Sequence, residues 1–528
     1  MNMKMKNFDF MKLMRFMGPG FLMGIAYLDP GNLQSDIQSG IIAQYKLLWV
    51  LLLSHIVGWL LQRLSLRLGV VSGLHMAEIA HDFYPKAARI GLWIMMEIAI
   101  ITCDMQEVIG TAIAFYMLSD GKIPLYVGCL ITMLDTFVFL LLDKFGARKL
   151  ELFFIGLIAV MAITFGYEFA VVQPDFGGIL KGMFIPTCGA CNSAVVLQIV
   201  SIIGSIIQPY NYYLHSALVK RRKIDGTKKS SLIEANFYFF IEAGVVLLCS
   251  FLINTIVISV FALGLYNKTN YQIRQSCDKR PGIIERDIFP YNNESIDGNI
   301  YSSGVFLGCE YGIPTFYIWG IGVMAAGQSA TAAGTYAGQF IMEGLLKIKW
   351  PSWKRVLVSR SVALLPTLAI IFFTTKGFGI LTSLNNLLNC IQMIQLPFAL
   401  IPLLTFSSYD KLMGDFKNSK LSVAFTMIVS IAVITISIYF SIEYVVTSIG
   451  TQWYIWLVLM IGAVFYLAFS FYLFIISLNT INLLPHRLSK LVEKLYNHEY
   501  GVEMEWQKFI VETPSISCET IDGFPEKY

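Results

Sequence analysis

Charged side chains are scarce in this sequence. Asp, Glu, Lys and Arg make up 14% of its 528 residues, whereas soluble globular chains average about 25%. Hydrophobic residues reach 56% and the mean hydropathy is +0.63. A soluble globular protein is thereby excluded, and an integral membrane protein is indicated. A polar stretch long enough for a catalytic domain is also missing, because the tail after Leu483 is too short to bury a sizeable core. No small-residue cleavage site follows the Lys-rich start (Lys4, Lys6, Lys12, Arg15). That start is expected to lead straight into a span rather than to form a cleavable signal. The net charge of +4 excludes little by itself.

Long apolar runs take the place of charge. At ~20 apolar residues per span, twelve are predicted, at 14–40, 46–68, 88–118, 122–142, 151–171, 193–219, 234–264, 312–345, 355–375, 380–405, 421–445 and 452–480. Basic residues fall on alternate loops: Arg63, Arg67, Lys86 and Arg89, then Lys144, Arg148 and Lys149, then Lys220, Arg221, Arg222 and Lys223, and later Lys347, Lys349, Lys354 and Arg355. By the positive-inside rule these loops and both termini are cytosolic. The long loop after the seventh span then lies outside, and it carries two glycosylation sequons, at Asn267 and Asn293. Cys188, Cys191, Cys277 and Cys309 fall in or beside outer loops, an oxidising setting. Two disulfides of unspecified pairing are expected, with Cys188-x-x-Cys191 as half a zinc site the alternative. Cys103, Cys129, Cys249 and Cys390 lie within spans and read as packing residues.

One stretch runs against this apolar background. Asp29-Pro30-Gly31-Asn32 sits in the middle of the first apolar run. A carboxylate at mid-membrane costs ~2.5–3.5 kcal/mol on insertion scales, which marks a functional site. Pro30 and Gly31 break the helix, and carbonyls freed in hydrocarbon are tolerated only where they line a cavity or coordinate something. Asp29, Asn32 and those carbonyls offer only oxygen, a cation's ligand set. The plainer reading is a proline-kinked helix with a locally satisfied Asp. A second break, Gln208-Pro209-Tyr210-Asn211, lies inside the run from about Val195 to Val219. Paired interrupted helices point to an inverted-repeat transporter with a midplane site.

Other polar groups inside spans are candidates for supporting roles. Asp104 and Glu107 are spaced i, i+3 on the third span, with Glu97 two turns back on roughly the same side. Such a row serves either as a proton relay or as structural partners for other helices. Arg360, early in the ninth span, is the natural counter-charge. His215, about two turns after Gln208, either titrates near neutrality or hydrogen-bonds a neighbouring helix. Asn389 on the tenth span is placed to line a central cavity. The run Gly327-Gln328-Ser329 through Gly338-Gln339 is dense in small residues, which let helices approach closely, and it is no phosphate motif.

Taken together, Asp29-Pro30-Gly31-Asn32, Asp104-Met105-Gln106-Glu107, Tyr213-Leu214-His215-Ser216-Ala217-Leu218 and Gly327-Gln328-Ser329 through Gly338-Gln339 make the chain resemble the NRAMP family of divalent metal transporters. The likeness is to an animal-type member and runs from about Met17 to the twelfth span. It implies an all-α integral membrane, LeuT-like fold with a 5+5 inverted repeat and two additional helices. The implied division is a cytosolic start at 1–13, a first repeat at 14–171 and an outer loop at 172–192. A second repeat follows at 193–405, containing the glycosylated loop at about 265–311. Spans eleven and twelve lie at 406–482 and a cytosolic tail at 483–528.

The resemblance implies that metal is held by Asp29, Asn32 and the Ala26 carbonyl, with Ser205 (through its carbonyl) and Gln208 from the sixth span. It implies proton coupling through Asp29, Asp104, Glu107 and Arg360, to which the residue reading adds His215 and Glu97. The family's usual Met-Pro-His-Asn is here Gln208-Pro209-Tyr210-Asn211, so an amide stands where the family has a thioether and a phenol where it has an imidazole. The expectation is transport of Mn²⁺ or Fe²⁺ into the cytosol with relaxed exclusion of Mg²⁺ and Ca²⁺ and with weakened proton coupling. The metal is the substrate, and no cofactor or nucleic acid is expected. A monomer is expected in the plasma membrane or an endosomal or lysosomal membrane. The alternatives are a membrane sensor on a transporter-like core, which the short tail disfavours, and an amino-acid carrier, which the acidic and amide groups at the break disfavour.

Overall fold

An apolar run in hydrocarbon must satisfy every backbone group within itself, so it folds as a helix. The computed structural model describes residues 9–143, 147–189, 191–222, 224–279, 286–348, 350–373, 379–444, 452–497 and 500. Over these residues each predicted span coincides, within a few residues, with one helix or a divided pair. In chain order they are α1 (Pro19–Gly24) and α2 (Pro30–Ala43), then α3 (Leu48–Ser72), α4 (Met76–Phe83), α5 (Lys86–Leu118), α6 (Leu125–Asp143) and α7 (Ala147–Val172). The second half opens with α8 (Ser193–Ile206) and α9 (Tyr210–Lys220), followed by α10 (Lys229–Gly264), α11 (Asn270–Asp278), α12 (Ile300–Tyr311), α13 (Ile313–Leu346) and α14 (Ser352–Phe373). The last predicted spans are α15 (Gly379–Gln395) with α16 (Pro397–Ser408), α17 (Lys420–Tyr444) and α18 (Trp453–Thr480).

By length and apolarity alone, eight helices among the described residues can cross a membrane. The first span escapes that measure because it is cut in two, α13 because Gly, Ser, Thr and Gln dilute its second half, and α6 and α14 because only the shorter apolar stretches Leu125–Leu134 and Leu357–Ile371 qualify there. The tenth predicted span is divided at Leu396, where Pro397 offers no N–H to continue the ladder. Two of the loops contain short helices, α4 in one and both α11 and α12 in the other, whose polar caps carry no hydropathy signal. Thr269 and Asn299 cap α11 and α12 by accepting from Gln272 N and Ser302 N.

Two layers of helices result. The broken pairs pack on each other through α2 and α8, and both lie against α15. Helix α5 is central, clasped by α13, α15, α14 and α2. Its apolar window is 83% buried, against 28% for α17 and 17% for α18, which places the last two at the periphery. Between α10 and α13 the loop is pinned by a Cys277–Cys309 disulfide joining α11 to α12, while Cys188 is bridged to Cys191. Asn267 and Asn293 are both exposed there, and their sequons are brought side by side by an antiparallel bridge between Thr269 and Ser295.

Candidate metal site

The first break is built by local rules. Helix α1 tightens into a 3-10 turn at Ile25–Tyr27, and Asp29 takes an extended conformation (φ −75°, ψ 166°). Asp29 then caps α2, its Oδ1 accepting from Asn32 N at 2.7 Å, with Pro30 in the first helical position where no N–H is needed. One carboxylate oxygen is therefore spent on the cap and the other is left to meet the second break. Asn32 Nδ2 donates to the Ala26 carbonyl at 3.5 Å, closing a loop across the break. Asn32 Oδ1 is buried without a hydrogen-bond partner.

The second break meets the first. Helix α8 stops at Ile206, Ile207 leaves helical geometry (φ −97°, ψ 70°), and α9 resumes after Pro209. Gln208 lies in this gap and donates from Nε2 to Asp29 Oδ2 at 2.6 Å. Its Oε1 accepts from Tyr210 Oη at 2.5 Å and from Asn211 Nδ2 at 3.4 Å. Ser205 turns its own hydroxyl back onto the Ile202 carbonyl at 3.1 Å. Asp29, Asn32, Gln208, Tyr210, Asn211, Ala26 and Ser205 are all at most 1% exposed. Asn389 closes the cluster from α15, donating to the Gly31 carbonyl at 3.4 Å and to Ser201 Oγ at 3.0 Å while accepting from Gln106 Nε2 at 2.6 Å. Gly31 leaves room for this network: a Cβ would sit 2.7 Å from Gln106 Oε1, and the amide would have to shift.

A chain of polar contacts leads away from the breaks along α5. Cys103 Sγ lies 3.8 Å from Asp29 Oδ2, 2.9 Å from Tyr210 Oη and 3.5 Å from Glu107 Oε1. Arg360 on α14 answers the acidic pair, its Nη1 standing 2.8 Å from Glu107 Oε2 and 3.2 Å from Asp104 Oδ1, while Nη2 donates to the Thr331 carbonyl at 2.7 Å. Two carboxylates and one guanidinium, all nearly fully buried, form one ion cluster. Beyond it a cavity of about 200 Å³ opens toward the end of the bundle that carries the basic loops, lined by Glu97, Asp104, Thr335, Ser359, Arg360 and Trp350. Glu97 thus reaches the cluster across the cavity. Its own contact with the Arg360 cluster is through that space.

His215 is not brought to Gln208. Its Nδ1 lies 2.9 Å from Gln62 Oε1 on α3, and Gln62 Nε2 donates to Tyr27 Oη at 3.0 Å. The helix-to-helix hydrogen bond is the observed role, and Nε2 has no partner. Cys103, read from the sequence as a packing residue, instead turns its sulfur onto the oxygens of Asp29, Glu107 and Tyr210, and Gln106, Gln62 and Tyr27 were given no role by the sequence reading. Cys103 carried one signal, its i, i+4 spacing from Glu107, which puts both on one helix face. Among the described residues no group of three or more His, Cys, Asp or Glu side chains is placed to hold a metal. The donors gathered at the breaks are a carboxylate, side-chain amides and backbone carbonyls, oxygen groups that suit a hard divalent cation.

Residues 20–443 match the family model described as "Natural resistance-associated macrophage protein-like" (Nramp). The chain belongs to the Nramp family. It is 52% identical over 501 residues to the NRAMP-like transporter smf-1 of Caenorhabditis elegans, covering 95% of this chain and 89% of that one. Natural resistance-associated macrophage protein 2 of Rattus norvegicus is 51% identical, over 88% of this chain and 81% of the relative. A solved manganese transporter of Eremococcus coleocola superposes with a TM-score of 0.76 at 26% identity, covering 90% of this chain and 97% of that one. Mhp1, a nucleobase-cation-symport-1 family transporter, shares the fold at a TM-score of 0.55, 12% identity and coverage of 91% and 94%. The fold is thus the all-helical, LeuT-like one of an integral membrane protein, and the breaks in this Nramp chain fall where its sequence motifs predict them.

Proposed function

We propose that this Nramp chain carries divalent transition-metal ions, Mn²⁺ or Fe²⁺, into the cytosol by alternating access. The observation that carries the reading is the meeting of the two helix breaks at a buried carboxylate, Asp29, whose Oδ2 accepts from Gln208 Nε2 at 2.6 Å. The Gln208 amide N–H stands where a cation would meet that carboxylate. Turning the amide about its terminal torsion would present Oε1 to the ion and leave Nε2 to donate to the Tyr210 hydroxyl, which accepts as readily as it donates. The ligand set is then Asp29, Asn32, Gln208 and the carbonyls of Ala26 and Ser205. The relatives named above support metal ions as cargo, one being a manganese transporter and others NRAMP-like transporters. They give no support to a sensor that does not transport.

Oxygen donors suit Mn²⁺ but also Ca²⁺ and Mg²⁺. An amide from the gap between α8 and α9 therefore gives the site less power to refuse abundant hard cations than a thioether would. For protons, a phenol ordinarily titrates near 10, so Tyr210 cannot relay them near neutrality as an imidazole would. The remaining route runs from Asp29 by Glu107, Arg360 and Asp104 to the cavity lined by Glu97, so coupling is weakened, with metal flux less dependent on external pH. The basic-loop end is cytosolic, with both termini, and the two sequons face outward. Helices α1 to α7 form the first inverted repeat and α8 to α16 the second, in a monomer of the plasma membrane or of endosomes or lysosomes.

Uptake into proteoliposomes tests this directly. A panel of Mn²⁺, Fe²⁺, Cd²⁺, Ca²⁺ and Mg²⁺ is offered with and without an inward pH gradient. Mn²⁺ or Fe²⁺ should accumulate, with only modest acceleration by the gradient. Absence of flux for every metal would overturn the transport reading, and strict stoichiometric acidification would overturn weakened coupling.

A further inference from the structure

We infer that Cys103 supplies a sulfur donor, from α5, to the cation held by Asp29 and Asn32. The inference rests on the site proposed at the two breaks and adds a ligand from a third helix. A cysteine that merely packs is surrounded by carbon. Cys103 is 1% exposed, yet its sulfur faces three oxygens: Asp29 Oδ2 at 3.8 Å, Tyr210 Oη at 2.9 Å and Glu107 Oε1 at 3.5 Å. Metal–oxygen and metal–sulfur bonds of ~2.1 and ~2.3 Å at a tetrahedral angle set the two donors ~3.6 Å apart. The 3.8 Å between Cys103 Sγ and Asp29 Oδ2 matches that spacing within a few tenths of an ångström.

An independent observation points to a ligand at the same place. Asn32 Oδ1 is buried in a residue 1% exposed and has no hydrogen-bond partner, although its own backbone N–H is held by Asp29 and its amide nitrogen by Ala26. Asn211 Oδ1 is left open in the same cluster, and an acceptor left open beside a carboxylate is what a cation completes. Sulfur raises the affinity for softer metals over Ca²⁺ and Mg²⁺. Cys103 thereby returns to the site part of the discrimination that Gln208 lacks.

The test uses the full chain purified in detergent, with Cd²⁺ and Co²⁺ as probes. Wild type should develop the ultraviolet ligand-to-metal charge-transfer absorption of a metal–sulfur bond on titration. Cys103→Ser should lose that absorption, and its Cd²⁺ affinity relative to Mn²⁺ should fall by at least the roughly 10- to 100-fold typical of losing even an outer partner of a metal ligand. Metal binding by wild type without the absorption overturns the inference, and this reading needs no variant to fold. An unchanged absorption in Cys103→Ser overturns it as well. Asp29→Ala separates the two levels of the argument. If it still binds Mn²⁺ and Cd²⁺ as wild type does, the site at the breaks is wrong; if it loses both while wild type shows no sulfur band, the site stands and only Cys103 is dismissed.

Discussion

At the scale of single residues, Asp29 does two jobs with two oxygens. Oδ1 caps α2 and Oδ2 faces Gln208, so substitution removes both a helix cap, worth ~1 kcal/mol, and the one formal negative charge at the breaks. Asp29→Ala should abolish metal-dependent heat in calorimetry and uptake in vesicles while the protein still reaches the membrane. Retained metal-dependent heat would dismiss the assignment. Gln208 tunes what Asp29 attracts. Gln208→Met replaces an amide that now holds Asp29, Tyr210 and Asn211 with a soft thioether. Inhibition of Mn²⁺ uptake by Ca²⁺ should then need about tenfold more Ca²⁺, a shift of about 1.4 kcal/mol. If competition curves for the two proteins overlay, Gln208 does not set selectivity. The spacing rule that paired Asp104 with Glu107 held, and Arg360 was the counter-charge the sequence suggested. What spacing along one helix did not reveal was that Cys103, on that same face, would be the residue lying between the acidic pair and Asp29.

At the scale of helices, contact between α13 and α5 decides whether the ion cluster closes. The dense small-residue run on α13 lets it approach: a Cβ at Gly327 would collide with Thr111 Oγ1, and one at Gly334 would lie 2.8 Å from Asp104 Oδ1 and 3.3 Å from Glu107 Oε1. Gly334→Val should push α13 off the acidic pair at an overpacking cost of ~1–3 kcal/mol. The expected result is a lower thermal midpoint and lost uptake in a protein that still inserts, with Gly334→Ala milder in both. Wild-type uptake by the Val variant would show that the close approach is not needed. At the basic-loop end, α9 is tied down by α4. Burial pushes the His75 imidazole down to about 4, so it is neutral at pH 7. Glu78 consequently takes its charged partner from Lys220, the last residue of α9, at 2.6 Å. The second broken helix is thus anchored to a loop helix that hydropathy could not predict.

For the whole molecule, orientation follows from where charge and sequons lie. Asn267 and Asn293 are exposed on one pinned loop, at the end opposite the Arg222–Glu151 and Lys220–Glu78 pairs. Replacing both by Gln should remove the glycan mass shift on electrophoresis after expression in animal cells, and each single replacement should remove part of it. A glycan surviving both substitutions would place the modification elsewhere and undo the outward assignment of this loop. The peripheral position of α17 and α18 has a simpler cause. They are apolar on every side and little buried, so lipid covers what other spans bury against protein.

The sequence by itself determined that the chain lives in a membrane, where its helices lie and where two of them break. Each of these is local: an apolar run has no other way to satisfy its backbone, and Pro30, Gly31 and Pro209 interrupt the ladder wherever they occur. Motif order also placed the chain in its family. Only the tertiary structure decided which polar groups meet. Gln208 and Asp29 are 179 residues apart and Arg360 and Glu107 are 253 apart, and no periodicity along one helix encodes the register of another. His215 shows the limit from the other side, since it shares Gln208's face yet bonds Gln62 on α3. Which neighbour fills a polar side chain's valence is set by helix crossing and close approach, and these exist only once the bundle has packed.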